Sequence, residues 1–106
     1  MDDKIRLTQY EKKVICDAFK NHFGLEDHIW LFGSRANPQK KGGDIDLYIE
    51  TQETNLNRAY DKKLAFVNEL WLKLGEQKID VIIRLLNNKF HLPIYDTAKT
   101  EGIQIL

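Results

Sequence analysis

The stretch "LFGSRANPQKKGGDIDLYIE", residues 31–50, decides the fold, because it holds the end of one strand, a tight turn, a loop and the whole of a second strand. From residue 44 to 50 the chain alternates, with Ile45, Leu47 and Ile49 on one side and Asp44, Asp46, Tyr48 and Glu50 on the other. A period of two is that of a strand with one dry face and one wet face. The wet face is unusual, since it sets two aspartates one pleat apart where like charges repel. A compensating cation is the expected answer.

Working outward, residues 28–33, HIWLFG, are short and rich in β-branched and aromatic side chains, and they run into Gly33-Ser34. They predict a strand that stops at a tight turn. Residues 37–43, NPQKKGG, read as a loop by composition. Upstream, Thr8 and Glu11 have the spacing of a capping box, and Tyr10, Val14, Ile15, Ala18, Phe19 and Phe23 follow as the stripe of a helix that Gly24 can end. Downstream, Asn55 or Asn57 can cap a second helix, with Tyr60, Leu64, Val67, Leu70 or Trp71, and Leu74 expected on its buried side before Gly75.

A third strand is expected at residues 78–84, KIDVIIR. Ile79, Val81 and Ile83 face one way there, and Lys78, Asp80, Ile82 and Arg84 the other. Pro93 can open a last short helix over residues 94–100, with Gly102 as its stop and a small edge strand after it. The expected fold is α/β in the broad sense, more strictly α+β: one small mixed sheet with helices on one face. If the second and third strands are neighbours, Asp44, Asp46 and Asp80 converge on the other face. Three carboxylates with no Cys or His at ligand spacing favour a hard ion such as Mg²⁺, which also takes substrate phosphate oxygens. Gly33 lets backbone approach a bulky anion, and Ser34 can open a short helix whose N–H groups and hydroxyl receive phosphate. Arg35 is a candidate forked phosphate donor. Metal ions held by such carboxylates can clamp both oxygens of a phosphoryl or nucleotidyl transfer, so a two-metal site is expected.

Composition limits the alternatives. The 106 residues suit a single domain spanning 1–106, and 16 basic residues cancel 16 acidic ones, leaving no global positive field for nucleic acid. The single Cys16 makes no internal disulfide, the N-terminal MDDKIRLTQY is too polar for a leader, and no apolar run is long enough to cross a bilayer. A cytoplasmic protein is expected. His22, His28 and His91 are too scattered for a ligand set. Trp30, Phe32 and Trp71 read as packing groups, and Lys40 and Lys41 as solvated loop residues.

GSRA at 33–36, DID at 44–46 and the later strand aspartate Asp80 together resemble the G-S…D-x-D…D signature of the polymerase-β-like nucleotidyltransferase superfamily. In length the chain is similar to its smallest branch, the minimal nucleotidyltransferases, over nearly the whole sequence. The resemblance implies metal on Asp44 and Asp46, with Asp80 completing the site and helping the acceptor lose its proton. It also implies the triphosphate of ATP on Gly33 and Ser34. Many members carry serine just before D-x-D, where this chain has Gly43. The resemblance further implies a helical HEPN partner, this chain being the antitoxin of the pair and transferring AMP to that partner. A small-molecule nucleotidyltransferase subunit of the antibiotic-modifying kind, and an antitoxin that neutralises by binding alone, are the other two readings.

Overall fold

The computed structural model describes residues 7–36 and 44–106. The loop expected at 37–43, with Lys40, Lys41 and Gly43, lies outside the described residues. Helix α1 spans Gln9–His22, β1 His28–Phe32, a 3₁₀ turn Gly33–Ala36, β2 Ile45–Thr51, α2 Leu56–Leu74, β3 Ile79–Leu85, α3 Pro93–Glu101 and β4 Ile103–Gln104. The strands form one sheet in the order β3-β2-β1-β4. It is mixed: β1 runs antiparallel to both β2 and β4, and β2 runs parallel to β3. The fold is α+β, as expected.

The capping box is present at the start of α1. Thr8 Oγ1 accepts from the Glu11 N–H at 3.0 Å and the Glu11 carboxylate accepts from the Thr8 N–H at 2.9 Å. Val14, Ile15, Ala18, Phe19 and Phe23 are buried as the stripe requires, whereas Tyr10 is exposed and donates its hydroxyl to the Lys73 carbonyl at 3.3 Å. At α2 it is Asn55 that caps, accepting from the Arg58 N–H at 3.0 Å.

The buried side of α2 is the expected one only in part: Leu70 is buried and Val67 and Leu74 pack against the core, but Tyr60 and Leu64 do not. Ala59, Phe66 and Leu70 are the buried residues, while Tyr60 and Leu64 are 47% and 62% exposed. The helix carries two adjacent apolar stripes, and packing chooses the one with an aromatic partner. Phe66 meets Phe19 and Phe23 edge-on, with ring centroids 6.3 and 6.0 Å apart, inside the cluster that α1 forms with Ile29, Leu31, Ile45, Leu47 and Ile49.

Helices on one face of the sheet describe α1 and α2, but α3 lies on the opposite face. Trp30 and Tyr48 alternate onto that second face, and their rings are too large to leave in water. Tyr95 and Ala98 of α3 cover them in a second, smaller cluster, with Tyr48 and Tyr95 stacked at 5.6 Å. Since Trp30 pairs with Tyr48 and Phe32 with Asp46 in the β1–β2 register, α3 covers the middle of this face. The end carrying the aspartates is left outside that cluster.

Candidate active site

Two strands and one turn bring the acidic residues together. In the β2–β3 register Asp46 stands directly beside Asp80, on the same side of adjacent parallel strands. On its other flank Asp46 is paired with Phe32, so the residue after Phe32, Gly33, turns beside the Asp46 carboxylate. Gly33 has φ +74°, a left-handed conformation, and a Cβ built on it would overlap Asp46 Oδ2 and come within 3.1 Å of Asp46 Cγ. The turn and the D-x-D strand therefore fit each other only because residue 33 has no side chain.

Asp46 carries the electrostatic signature of the site. Burial first, then the negative charges of Asp80 and Asp44, hold its carboxyl above the ordinary carboxylate value. Asp44 precedes β2 and is turned partly to solvent, where it pairs with Lys78 at 3.5 Å. The Ile45 N–H bonds the Lys78 carbonyl at 3.1 Å and fixes the two strand entries against each other. Among the described residues no three acid, His or Cys side chains stand gathered as a ready metal group. The Asp46–Asp80 pair is the assembled part, and Asp44 is beside it but engaged by Lys78. An all-oxygen pair of neighbouring carboxylates suits a hard divalent cation, because positive charge placed there relieves their mutual repulsion.

Arg35, the candidate phosphate donor, reaches toward α1. Its Nη1 lies 3.9 Å from Glu11 Oε1, tying the 3₁₀ turn to the first turn of α1. The Ser34 side chain lies outside what the structure describes. The three histidines each have a local partner: His22 with Glu69 at 2.9 Å, His28 with the Leu106 carbonyl at 3.2 Å, and His91 with Asp96 at 2.9 Å.

Two buried acids escaped the sequence reading. Asp27 accepts from the Thr51 hydroxyl and the Gln52 N–H, both at 2.8 Å, and so pins the start of β1 to the end of β2. Glu50, also buried, accepts from the Tyr48 hydroxyl at 2.7 Å and pairs with Lys99 at 3.2 Å and Arg84 at 3.7 Å. Only the alternation that puts Glu50 on the Tyr48 face hinted at this; its cations come from β3 and α3, 34 and 49 residues further on.

A four-stranded mixed sheet carries an aspartate pair across β2 and β3, with a glycine turn pressed on one of them. The family model described as Polymerase beta, Nucleotidyltransferase matches residues 13–106, and the chain belongs to that family. It is a nucleotidyltransferase domain, of a family whose members usually use divalent metal ions. No curated protein matches the chain. No helix among the described residues is long and apolar enough to cross a membrane.

Proposed function

We propose that this chain transfers AMP from ATP to a hydroxyl group of a partner protein, a helical HEPN-type toxin, and acts as its antitoxin in the cytoplasm. The observation that carries the catalytic part is the Asp46–Asp80 pair with the Gly33 backbone against it. The nucleotidyltransferase family supports the reaction class. The HEPN partner and the antitoxin role rest on the resemblance of the motifs to minimal nucleotidyltransferases.

In this reading Asp46 and Asp80 hold Mg²⁺, and Asp44 joins them when Lys78 lets go. Bound there, the cation supplies charge neutralisation for the triphosphate and a more acidic acceptor hydroxyl. Asp80 stands nearest the acceptor and takes the proton of the attacking hydroxyl as that oxygen bonds to the α-phosphorus, the bond to the β-phosphate breaks and pyrophosphate leaves. The backbone N–H groups of Gly33 and Ser34 receive phosphate oxygens. The site needs no base-reading pocket for this chemistry, because the triphosphate and the carboxylates fix the reacting groups. The acceptor would be presented by the partner.

Intact-mass spectrometry of the two proteins mixed with ATP and Mg²⁺ tests the proposal. The expected result is a partner heavier by one or more adenylyl units and a nucleotidyltransferase of unchanged mass. No mass change with any divalent metal would defeat the protein-modifying reading. AMP on a small molecule would point to the antibiotic-type alternative. Full neutralisation by an Asp46→Asn, Asp80→Asn double variant would point to binding alone.

A further inference from the structure

β3 is an edge of the sheet: β2 lies on one side, and among the described residues no strand pairs with the other. The exposures carry the same message. Ile45, Leu47 and Ile49 of β2 are 0% exposed, whereas Ile79, Val81 and Leu85 of β3 keep 9%, 7% and 7%. The Lys78 carbonyl and the Leu86 N–H both bond toward β2. Bonding alternates along a parallel ladder, so Ile79, Val81, Ile83 and Leu85 direct their N–H and C=O groups outward. The edge is seven residues long, and neither proline nor bulge interrupts it.

The flank of α2 that overhangs this edge is apolar. Glu69 and Lys73 face α1, where they meet His22 and Tyr10. Away from α1, Leu56, Tyr60, Leu64 and Trp71 form an exposed stripe, at 53%, 47%, 62% and 40%. Leu56 and Tyr60 continue into a cavity of about 230 Å³ at the end of the strand, closed by Ile83, Leu85 and Phe90. Exposed apolar surface beside an unpaired edge is the pattern of an interface.

We propose that the occupant is a second copy of this chain, with the two β3 strands paired antiparallel about a twofold axis at Ile82 to make one eight-stranded sheet. The outward-directed residues fix the permitted registers, since hydrogen-bonded pairs must join odd-numbered residues. Centring on Ile82 is the register that uses the whole strand. Ile79 then meets Leu85, Val81 meets Ile83, and Ile82 meets itself. In the same register Asp80 faces the partner's Arg84 as a non-hydrogen-bonded pair, where side chains come closest.

Charge selects this arrangement. The start of β3 is acidic, with Asp46 and Asp44 near Asp80 and Lys78 paired to Asp44. Its end is basic, with Arg84 and Lys99 sharing the one carboxylate of Glu50, and the buried Arg84 Nε has no hydrogen-bond partner. Antiparallel pairing lays each acidic end on a basic end. A slip by two residues in either direction sets Asp80 or Arg84 opposite Ile82 and loses the match. A helix lying on the α2 stripe would cover apolar surface but leave the strand edge unpaired. In the dimer each copy thus places a guanidinium beside the other's Asp80, whichever acceptor takes the nucleotide.

Sedimentation equilibrium of the full chain should give twice its 12.5 kDa mass. Register is tested by single cysteines in a Cys16→Ser background under mild oxidation. Ile82→Cys should give a covalent dimer, because the Cα atoms of such a facing pair lie about 4.5 Å apart. Asp80→Cys and Arg84→Cys should stay uncrosslinked, each lying about 13 Å from its own counterpart at roughly 3.3 Å per residue. Leu64→Glu, at an exposed position, should shift the equilibrium at least tenfold toward monomer. A monomeric parent at about 100 μM, or a dimer that Ile82→Cys does not crosslink and Leu64→Glu does not weaken, would overturn the proposal. So would a one-to-one complex with a helical protein in which Ile82→Cys remains reduced.

Discussion

Asp46 is where the fold and the chemistry oppose each other. Its carboxyl is held above the ordinary carboxylate value by burial and by Asp80 and Asp44, so the folded protein holds that proton more tightly than the unfolded chain. The stability contributed is present at low pH and is lost as pH rises through the folded value; above it the charged carboxylate works against the fold. Asp46→Asn keeps the shape and removes the charge. It should therefore melt at a higher temperature than the parent at neutral pH in the absence of divalent cation, and the difference should shrink on acidification. Thermal melts from about pH 7 down through the carboxylate range, about pH 4, check this. With Mg²⁺ the order should reverse, the parent gaining stability and the variant little. A variant less stable than the parent at neutral pH without cation would make Asp46 a structural residue. Asp44 is a different case: it lies at the surface against Lys78, and losing such a pair costs about 0–1 kcal/mol.

The 3₁₀ turn owes its position to one glycine, and a second glycine supplies the control. Gly33 and Gly75 both have positive φ, +74° and +85°, but a Cβ at Gly75 meets nothing within 4 Å while one at Gly33 overlaps Asp46. Gly75→Ala should cost about 1–2 kcal/mol for the backbone alone. Gly33→Ala should cost more in urea unfolding, and only it should also weaken Mg²⁺ binding. Equal costs and equal Mg²⁺ affinity would mean that the turn does not shape the carboxylate site. The turn was legible in the sequence, because Gly-Ser after a short aromatic strand admits few conformations; its contact with Asp46 was not, since that depends on the β1–β2 register. α2 shows the same limit. Its length, cap and amphipathicity follow from local spacing, but it carries two neighbouring stripes, and only Phe19 of α1 and Phe23 just after it decide that Phe66 goes inside. Phe66→Ala should accordingly lose about 3–5 kcal/mol, whereas Leu72→Ala, at 86% exposure, should stay within about 0.5 kcal/mol.

Across the molecule, the second sheet face is divided between structure and chemistry. Trp30, Tyr48 and Ile82 lie in the aromatic cluster under α3, with Glu50, Arg84 and Lys99 as its charged border, while Asp46 and Asp80 stand toward the entry ends of β2 and β3. Alternation alone placed Asp46, Tyr48, Glu50, Asp80, Ile82 and Arg84 on one face, but could not say where the covered part ends, because that is set by α3 returning from the far end of the chain. The division keeps the aspartate pair beside the Gly33 turn and clear of the aromatic cover, so the two carboxylates can take separate tasks. Asp46, held between the turn and Asp80, would under the proposed function govern the cation that arrives with the triphosphate. Asp80, exposed on the edge strand, would under the proposed function be the one an acceptor reaches. Asp80→Asn should therefore retain most Mg²⁺·ATP affinity in calorimetric titration yet lose about 10²- to 10⁴-fold in AMP transfer, the usual contribution of a positioned base. Asp46→Asn should lose both. Transfer by Asp80→Asn near the parent rate would leave Asp46 and Asp44 to carry the chemistry, and would reduce Asp80 to a charge on the strand edge.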